Sequence, residues 1–183
     1  GEHFAELFEA PLADSSLADR RARLPWEIFT ELMRRMLRPR ATRQREPEAF
    51  WNGWRLAALD GTQWSLTNTP QISAQVRKAR TRRGRAAFAK LPTAVLLELG
   101  VHNPLAAAIG RDAESEWALA MRLLPQIPRR ALVLADRLYG CPAFLAALQA
   151  ACQAVGSQWL VRAQTVVTGT VLETFPDGSR LIR

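Results

Sequence analysis

Short apolar runs most constrain what this chain can become. WRLAALD (54–60), TAVLLELG (93–100), NPLAAAIGR (103–111), ALVLAD (131–136) and QWLVRA (158–163) are each of strand length. A helix needs about 20 apolar residues to span a bilayer, so runs this short must instead be covered by other parts of the chain. Two helix patterns lie among them. SEWALAMRLLPQ is capped by Ser115 and closed by Pro128, and PAFLAALQAACQAV (142–155) ends at Gly156. The turn around His102 to Pro104 is too short for a crossover helix, so TAVLLELG and NPLAAAIGR read as antiparallel neighbours. ALVLAD is continuously apolar, as a central strand is. The order strand, strand, strand, helix, strand, helix, strand predicts an α/β domain built on a mixed sheet.

That order matches a mixed sheet of the ribonuclease-H type with flanking helices, assigned to residues 48–164. Before it, residues 1–47 read as a small helical segment, in which LPWEIFTELMRRMLR sets Trp26, Phe29, Met33 and Met36 close to one face. After it, residues 165–183 alternate like a hairpin, with Pro176, Asp177 and Gly178 making the turn. The chain starts at Gly1 rather than Met and ends in SRLIR, which reads as mid-strand, so a piece of something longer is expected.

With 183 residues, 48% of them hydrophobic, the chain can bury a core. Its 25 Lys and Arg outweigh 17 Asp and Glu, a formal charge of +8 that favours a polyanionic partner, nucleic acid first. Cys141 and Cys152 fall at opposite ends of one helix pattern, about 16 Å apart and beyond disulfide reach, which fits a reducing bacterial cytoplasm. His3 and His102 stand apart from them, so no zinc site is expected. The N-terminus lacks a basic-then-apolar signal pattern, so neither export nor a membrane partner is expected.

Two aspartates share a position that can carry chemistry. Asp60 follows LAAL and Asp136 follows LVLA, so each is expected to close a buried strand, where α/β sheets assemble their sites. On neighbouring strands the two carboxylates would converge and hold hard divalent ions for two-metal phosphoryl transfer. The structural alternative is that each is a cap or turn residue. Between the first two strands runs RKARTRRGRAAFAK (77–90), with Arg77, Lys78, Arg80, Arg82, Arg83, Arg85 and Lys90 and no acid. It reads either as a solvated loop or as a phosphate-binding segment beside the two aspartates, with Arg137 in a similar role. The Arg cluster between Arg20 and Arg45 leaves the same two options open. Trp54, Trp117 and Trp159 are expected in the core, whereas Trp64 could pack or stack on a base.

DGTQW (60–64), GRAAFAKLPTAVLLELGVHN (84–103), ALVLADRLYG (131–140) and VLETFPDGSRL (171–181) together resemble transposases of the bacterial insertion-sequence-four (IS4-like) family, in matching order and spacing. The resemblance spans about residues 20–183. It implies a ribonuclease-H-like catalytic domain, two Mg²⁺ or Mn²⁺ ions, and cleavage and transfer of double-stranded DNA at transposon ends and target. It carries the first two members of a DDE triad onto Asp60 and Asp136. The family's third member is a Glu in a motif with Tyr, Arg and Lys, on a helix after a β-rich insertion, and nothing in this chain matches that motif. Residues 165–183 would then start the insertion, and 183 residues alone would lack activity. A nucleoid-associated enzyme, homodimeric at full length, is the corresponding expectation.

Two other readings compete. A haloacid-dehalogenase-type phosphatase also places DGT after an apolar strand, but its nucleophilic Asp would stand at position 58, which is Ala58. A DNA-binding remnant without chemistry would keep the basic surface and need no third carboxylate. Glu173 is spaced from Asp136 as a third carboxylate would be, but TVLETFPDG favours a strand and a turn there, so it is not expected to be catalytic.

Overall fold

The computed structural model describes residues 19–21, 23–82, 84–111, 114–164 and 169–182. The chain divides into two compact units, with the break between Leu37 and Arg38. In the first, helix α1 (Trp26–Met36) carries Glu31, which pairs with Arg34 at 2.8 Å and Arg35 at 2.6 Å along one face. These i,i+3 and i,i+4 contacts satisfy two of the helix's basic residues within the helix itself. The helical pattern expected over residues 1–18 lies outside the described residues.

The second unit is a mixed α/β layer built on strands β1 (Phe50–Trp51), β2 (Trp54–Ser65), β5 (Lys90–Glu98), β6 (Asn103–Ile109), β7 (Ala131–Ala135) and β8 (Gln158–Val161). The sheet order is β6-β5-β2-β7-β8, with β1 pairing on β2. β5 and β6 are antiparallel neighbours, β5 is antiparallel to β2, and β7 and β8 run parallel to β2. This arrangement is compatible with a ribonuclease-H-like sheet. Helix α3 (Glu116–Leu123) follows β6, and α4 (Pro142–Ala154) links β7 to β8. Ser115 caps α3 by accepting the Ala118 N–H at 3.2 Å, as its position before the apolar period requires.

The pleat decides which residues enter the core. Ala57 and Leu59 on β2, Ala94 and Leu96 on β5, and Ala131 and Val133 on β7 are buried at two-residue spacing. They meet Leu119 and Leu123 of α3 and Phe144 and Leu148 of α4 in one cluster. Each of these large side chains stabilises the fold by roughly 1.5–3 kcal/mol through the apolar surface it removes from water. Ser157 fixes the helix return by donating to the Pro128 carbonyl at 2.8 Å and accepting from the Ala131 N–H at 3.0 Å.

At the end of β5, opposite Ala57 of β2, lies a fully buried carboxylate, Glu98. It accepts the Arg40 N–H at 2.9 Å and the Ala41 N–H at 3.2 Å and pairs with the Arg55 guanidinium. Asn103, beside it, donates to the Arg38 carbonyl at 2.8 Å. A buried charge is tolerated only when so partnered, and here the partners fasten residues 38–41 to the sheet.

Two local features depart from the expectation. The strand expected to close at Asp60 continues through DGTQWS to Ser65, because β5 pairs with it from Ala57 to Ser65. Between β2 and β5 lie a short helix α2 (Pro70–Gln75), ahead of the basic run, and within that run a hairpin of β3 (Arg80–Thr81) and β4 (Gly84–Arg85). Beyond the sheet, β9 (Val171–Thr174) and β10 (Arg180–Ile182) form the anticipated hairpin, closed where Gly178 N–H reaches the Phe175 carbonyl at 3.0 Å. Residues 165–168, expected to open that hairpin, lie outside the described residues. Among the described residues no helix is long and apolar enough to cross a membrane.

Candidate active site

The parallel pairing of β2 with β7 ends at Leu59↔Ala135, so Asp60 and Asp136 occupy the next step of the same register. Asp60 continues β2, whereas Asp136 leaves β7 as the first residue of the turn that follows it. Both are solvent-exposed.

Each also has a local structural task. Asp60 Oδ1 accepts the Gly61 N–H at 2.8 Å, and Asp136 Oδ1 accepts the Leu138 N–H at 2.8 Å, capping the 3-10 turn Arg137–Tyr139. These bonds occupy one oxygen of each group and fix its direction. Asp60 is thus placed by the point where β2 outruns β7, and Asp136 by the turn that follows β7.

The two aspartates open into one cleft of about 720 Å³. Gly61, Arg137, Leu138 and Gln164 complete its lining together with a third carboxylate, Glu116. Gln164 holds one wall by donating to the Leu138 carbonyl at 3.1 Å. Glu116 enters from the first turn of α3 and accepts a 2.7 Å hydrogen bond from the Tyr139 hydroxyl. Tyr139 is fully buried against Phe144, with ring centroids 5.0 Å apart. Burial raises the Tyr139 phenol well above its ordinary range, and the Glu116 hydrogen bond and the negative charges of Glu116, Asp60 and Asp136 push the same way.

Glu116 escaped the sequence reading because a Glu following a Ser cap is an ordinary first-turn helix residue. A signal was nevertheless present in the Gly of DGT. A Cβ on Gly61 would lie 1.9 Å from Glu116 Cδ, so only glycine there leaves Glu116 its place. Among the described residues no group of three or more His, Cys, Asp or Glu has the geometry to hold a metal ion. Asp60 and Asp136 remain a pair of hard oxygen donors.

The basic residues divide between two places. Arg137 lies at the aspartate cleft, whereas Arg77, Lys78, Arg80 and Arg85 line a separate cavity beyond the far end of β2. Arg82 is exposed at the tip of the β3–β4 hairpin, Lys90 opens β5 opposite Ser65, and Arg83 lies outside the described residues. Trp64 is exposed, while Trp54, Trp117 and Trp159 are half-buried. Glu173 sits on β9, paired with Leu181 in the hairpin.

No protein-family model matches the chain. It is 27% identical over 164 residues to the Escherichia coli K12 protein named "Putative transposase InsZ", covering 88% of this chain and 54% of that protein. It is 31% identical over 93 residues to the transposase InsG for insertion sequence element IS4 of the same organism, covering 51% of this chain and 21% of that protein. The chain thus spans about half the length of the first relative and about a fifth of the second. Along most of its length it is similar to proteins named as transposases.

Proposed function

We propose that this chain carries the first part of a ribonuclease-H-like catalytic domain of an IS4-like DDE transposase, acting on double-stranded DNA at insertion-sequence ends. The observation that carries the reading is that Asp60 and Asp136 follow the last pair of two neighbouring parallel strands and line one cleft, within a chain similar to transposases. Asp60 and Asp136 are the two carboxylates that would hold Mg²⁺ or Mn²⁺. Such ions, when bound, supply an activated water and neutralise the leaving 3′-oxygen of the cut strand. Both donors are hard oxygens, as these ions require, and two carboxylates leave the remaining positions to water. Neither Glu173 nor Glu116 is assigned the third carboxylate's role: Glu173 belongs to a hairpin, and among the described residues Glu116 forms no metal-holding group with the two aspartates.

The chain's own residues do the rest. Gly61 N–H and Leu138 N–H orient the two aspartates, and Arg137 at the mouth of the cleft meets a phosphate of the bound strand. The basic segment from Arg77 to Lys90 tracks the DNA backbone away from that point.

Two measurements test this. Mn²⁺ titration followed by water-proton relaxation is expected to show weak binding that Asp60→Asn and Asp136→Asn each abolish while the fold is retained. Duplex binding measured against salt is expected to lose slope, about 0.9 for each phosphate contact removed, when Arg82, Lys90 and Arg137 are replaced by Ala. Mn²⁺ binding indifferent to both Asn variants, with DNA binding intact, would leave a DNA-binding module without chemistry as the correct reading.

A further inference from the structure

The cavity beyond the far end of β2 has a volume of about 800 Å³ and is walled by α2 on one side and by the β3–β4 hairpin on the other. It is a built feature. Thr69 caps α2 by accepting the Ile72 N–H at 3.2 Å, and Ala86 N–H extends the hairpin by reaching the Ala79 carbonyl at 2.9 Å. Asn68 donates to the Ala87 carbonyl at 3.1 Å, and Leu66 N–H to the Ala89 carbonyl at 2.9 Å, closing the floor.

Its two walls differ in chemistry. Lys78, Arg80 and Arg85 contribute positive charge, and among the described residues no Asp or Glu lines the cavity. With them, Ile72 of α2 and Val76, the residue that ends it, present apolar surface. A phosphate stripe on a duplex needs only cations on a flat or convex surface. A concavity that pairs cations with an apolar wall suits a ligand with an anionic group and a hydrophobic face. Its size decides further. A duplex keeps its paired bases stacked inside the helix and cannot lay one in such a cavity, whereas one unpaired nucleotide fits.

We infer that this cavity receives one unpaired nucleotide of a DNA strand, its phosphate held by Lys78, Arg80 and Arg85 and its base laid against Ile72 and Val76. The inference rests on the reading of the chain as a DNA-processing domain. Ser65, the end of β2 nearest the cavity, is five residues along the strand from Asp60, roughly 17 Å. A strand of a few nucleotides seated there reaches the aspartate cleft.

Anisotropy of a labelled thymidine oligonucleotide and of a blunt duplex of equal length tests the assignment at fixed ionic strength. Ser73→Trp fills the cavity from α2 without changing charge, and is expected to weaken single-strand binding about tenfold while leaving duplex binding unchanged. Ile72→Ala, which removes apolar surface and adds no bulk, should act in the same direction. Thymidine monophosphate should displace the oligonucleotide at lower concentration than inorganic phosphate does. Equal displacement by the two, or variants that affect single strand and duplex alike or not at all, would overturn the inference. If the wild type binds neither DNA, the functional reading falls with it; duplex binding without cavity effects overturns only the cavity assignment.

Discussion

The Tyr139 hydroxyl donates a 2.7 Å hydrogen bond to Glu116, joining the turn that carries Asp136 to the first turn of the helix after β6. Through it two segments 23 residues apart are fixed on either side of the aspartate cleft. Tyr139 is the only tyrosine of the chain, which makes the link directly observable.

Alkaline titration should therefore show a buried phenol. The folded-state Tyr139 phenol ionises well above its unfolded value of about 10, because burial, Glu116 and the two aspartates all oppose the phenolate. Its contribution to stability is present below about pH 10 and is lost as pH rises beyond that value, since the unfolded chain releases the proton first. Phenolate absorbance is expected to appear only together with loss of the folded circular dichroism. Tyr139→Phe should flatten the fall of stability above pH 10, and a phenolate signal in the intact fold near pH 10 would contradict this.

Gly61→Ala should act through Glu116. The new Cβ needs the space of the Glu116 carboxyl group, so the Tyr139 bond must break or β2 must shift, at a cost of about 1–3 kcal/mol. In a double-mutant cycle Glu116→Ala should relieve most of that loss. Additive losses in denaturant melts would show that the clash lies elsewhere.

Removing the Glu98 side chain should be among the most damaging changes in the second unit. Glu98→Ala leaves the half-buried Arg55 cation and the Arg40 and Ala41 N–H groups without their acceptor, for which about 3–5 kcal/mol is expected. Residues 38–41 should then exchange amide hydrogens faster, while the aspartate cleft, which Glu98 does not line, keeps its Mn²⁺ response. Glu98→Gln should cost less, because the amide oxygen still accepts.

The two cysteines should separate kinetically. Cys152 is buried on α4, its thiol pushed up to about 11 by burial, whereas Cys141 is half-exposed at the start of that helix. Thiolate is the reactive form, so a disulfide reagent at mildly alkaline pH should titrate one thiol quickly and the second only on unfolding. Two fast thiols in the wild type, or a fast thiol surviving in Cys141→Ser, would refute the assignment.

Much of the sheet was legible because its information is local. Alternating or continuous apolar runs mark β5, β6 and β7, Ser115 starts α3, which ends at Leu123 in a 3-10 turn rather than at Pro128, and Pro176-Asp177-Gly178 makes the last hairpin, each through short-range sterics and hydrogen bonding. Asp60 and Asp136 were marked in the same way, by the apolar strands that precede them. What local signals could not state is where a strand ends when its neighbour supports it. β2 outlasts its apolar run because β5 pairs with it as far as Ser65, so the level of Asp60 is set by the end of β7 rather than by its own strand. The same holds for Glu116, Tyr139 and Glu98, whose partners lie 23 to 58 residues away. Charge and periodicity along the chain indicate that such residues are polar, but only the packing of α3 against the sheet turns Glu116 into a wall of the aspartate cleft. Only burial turns Glu98 into the anchor of residues 38–41, since a carboxylate removed from water must find its donors wherever the fold has brought them.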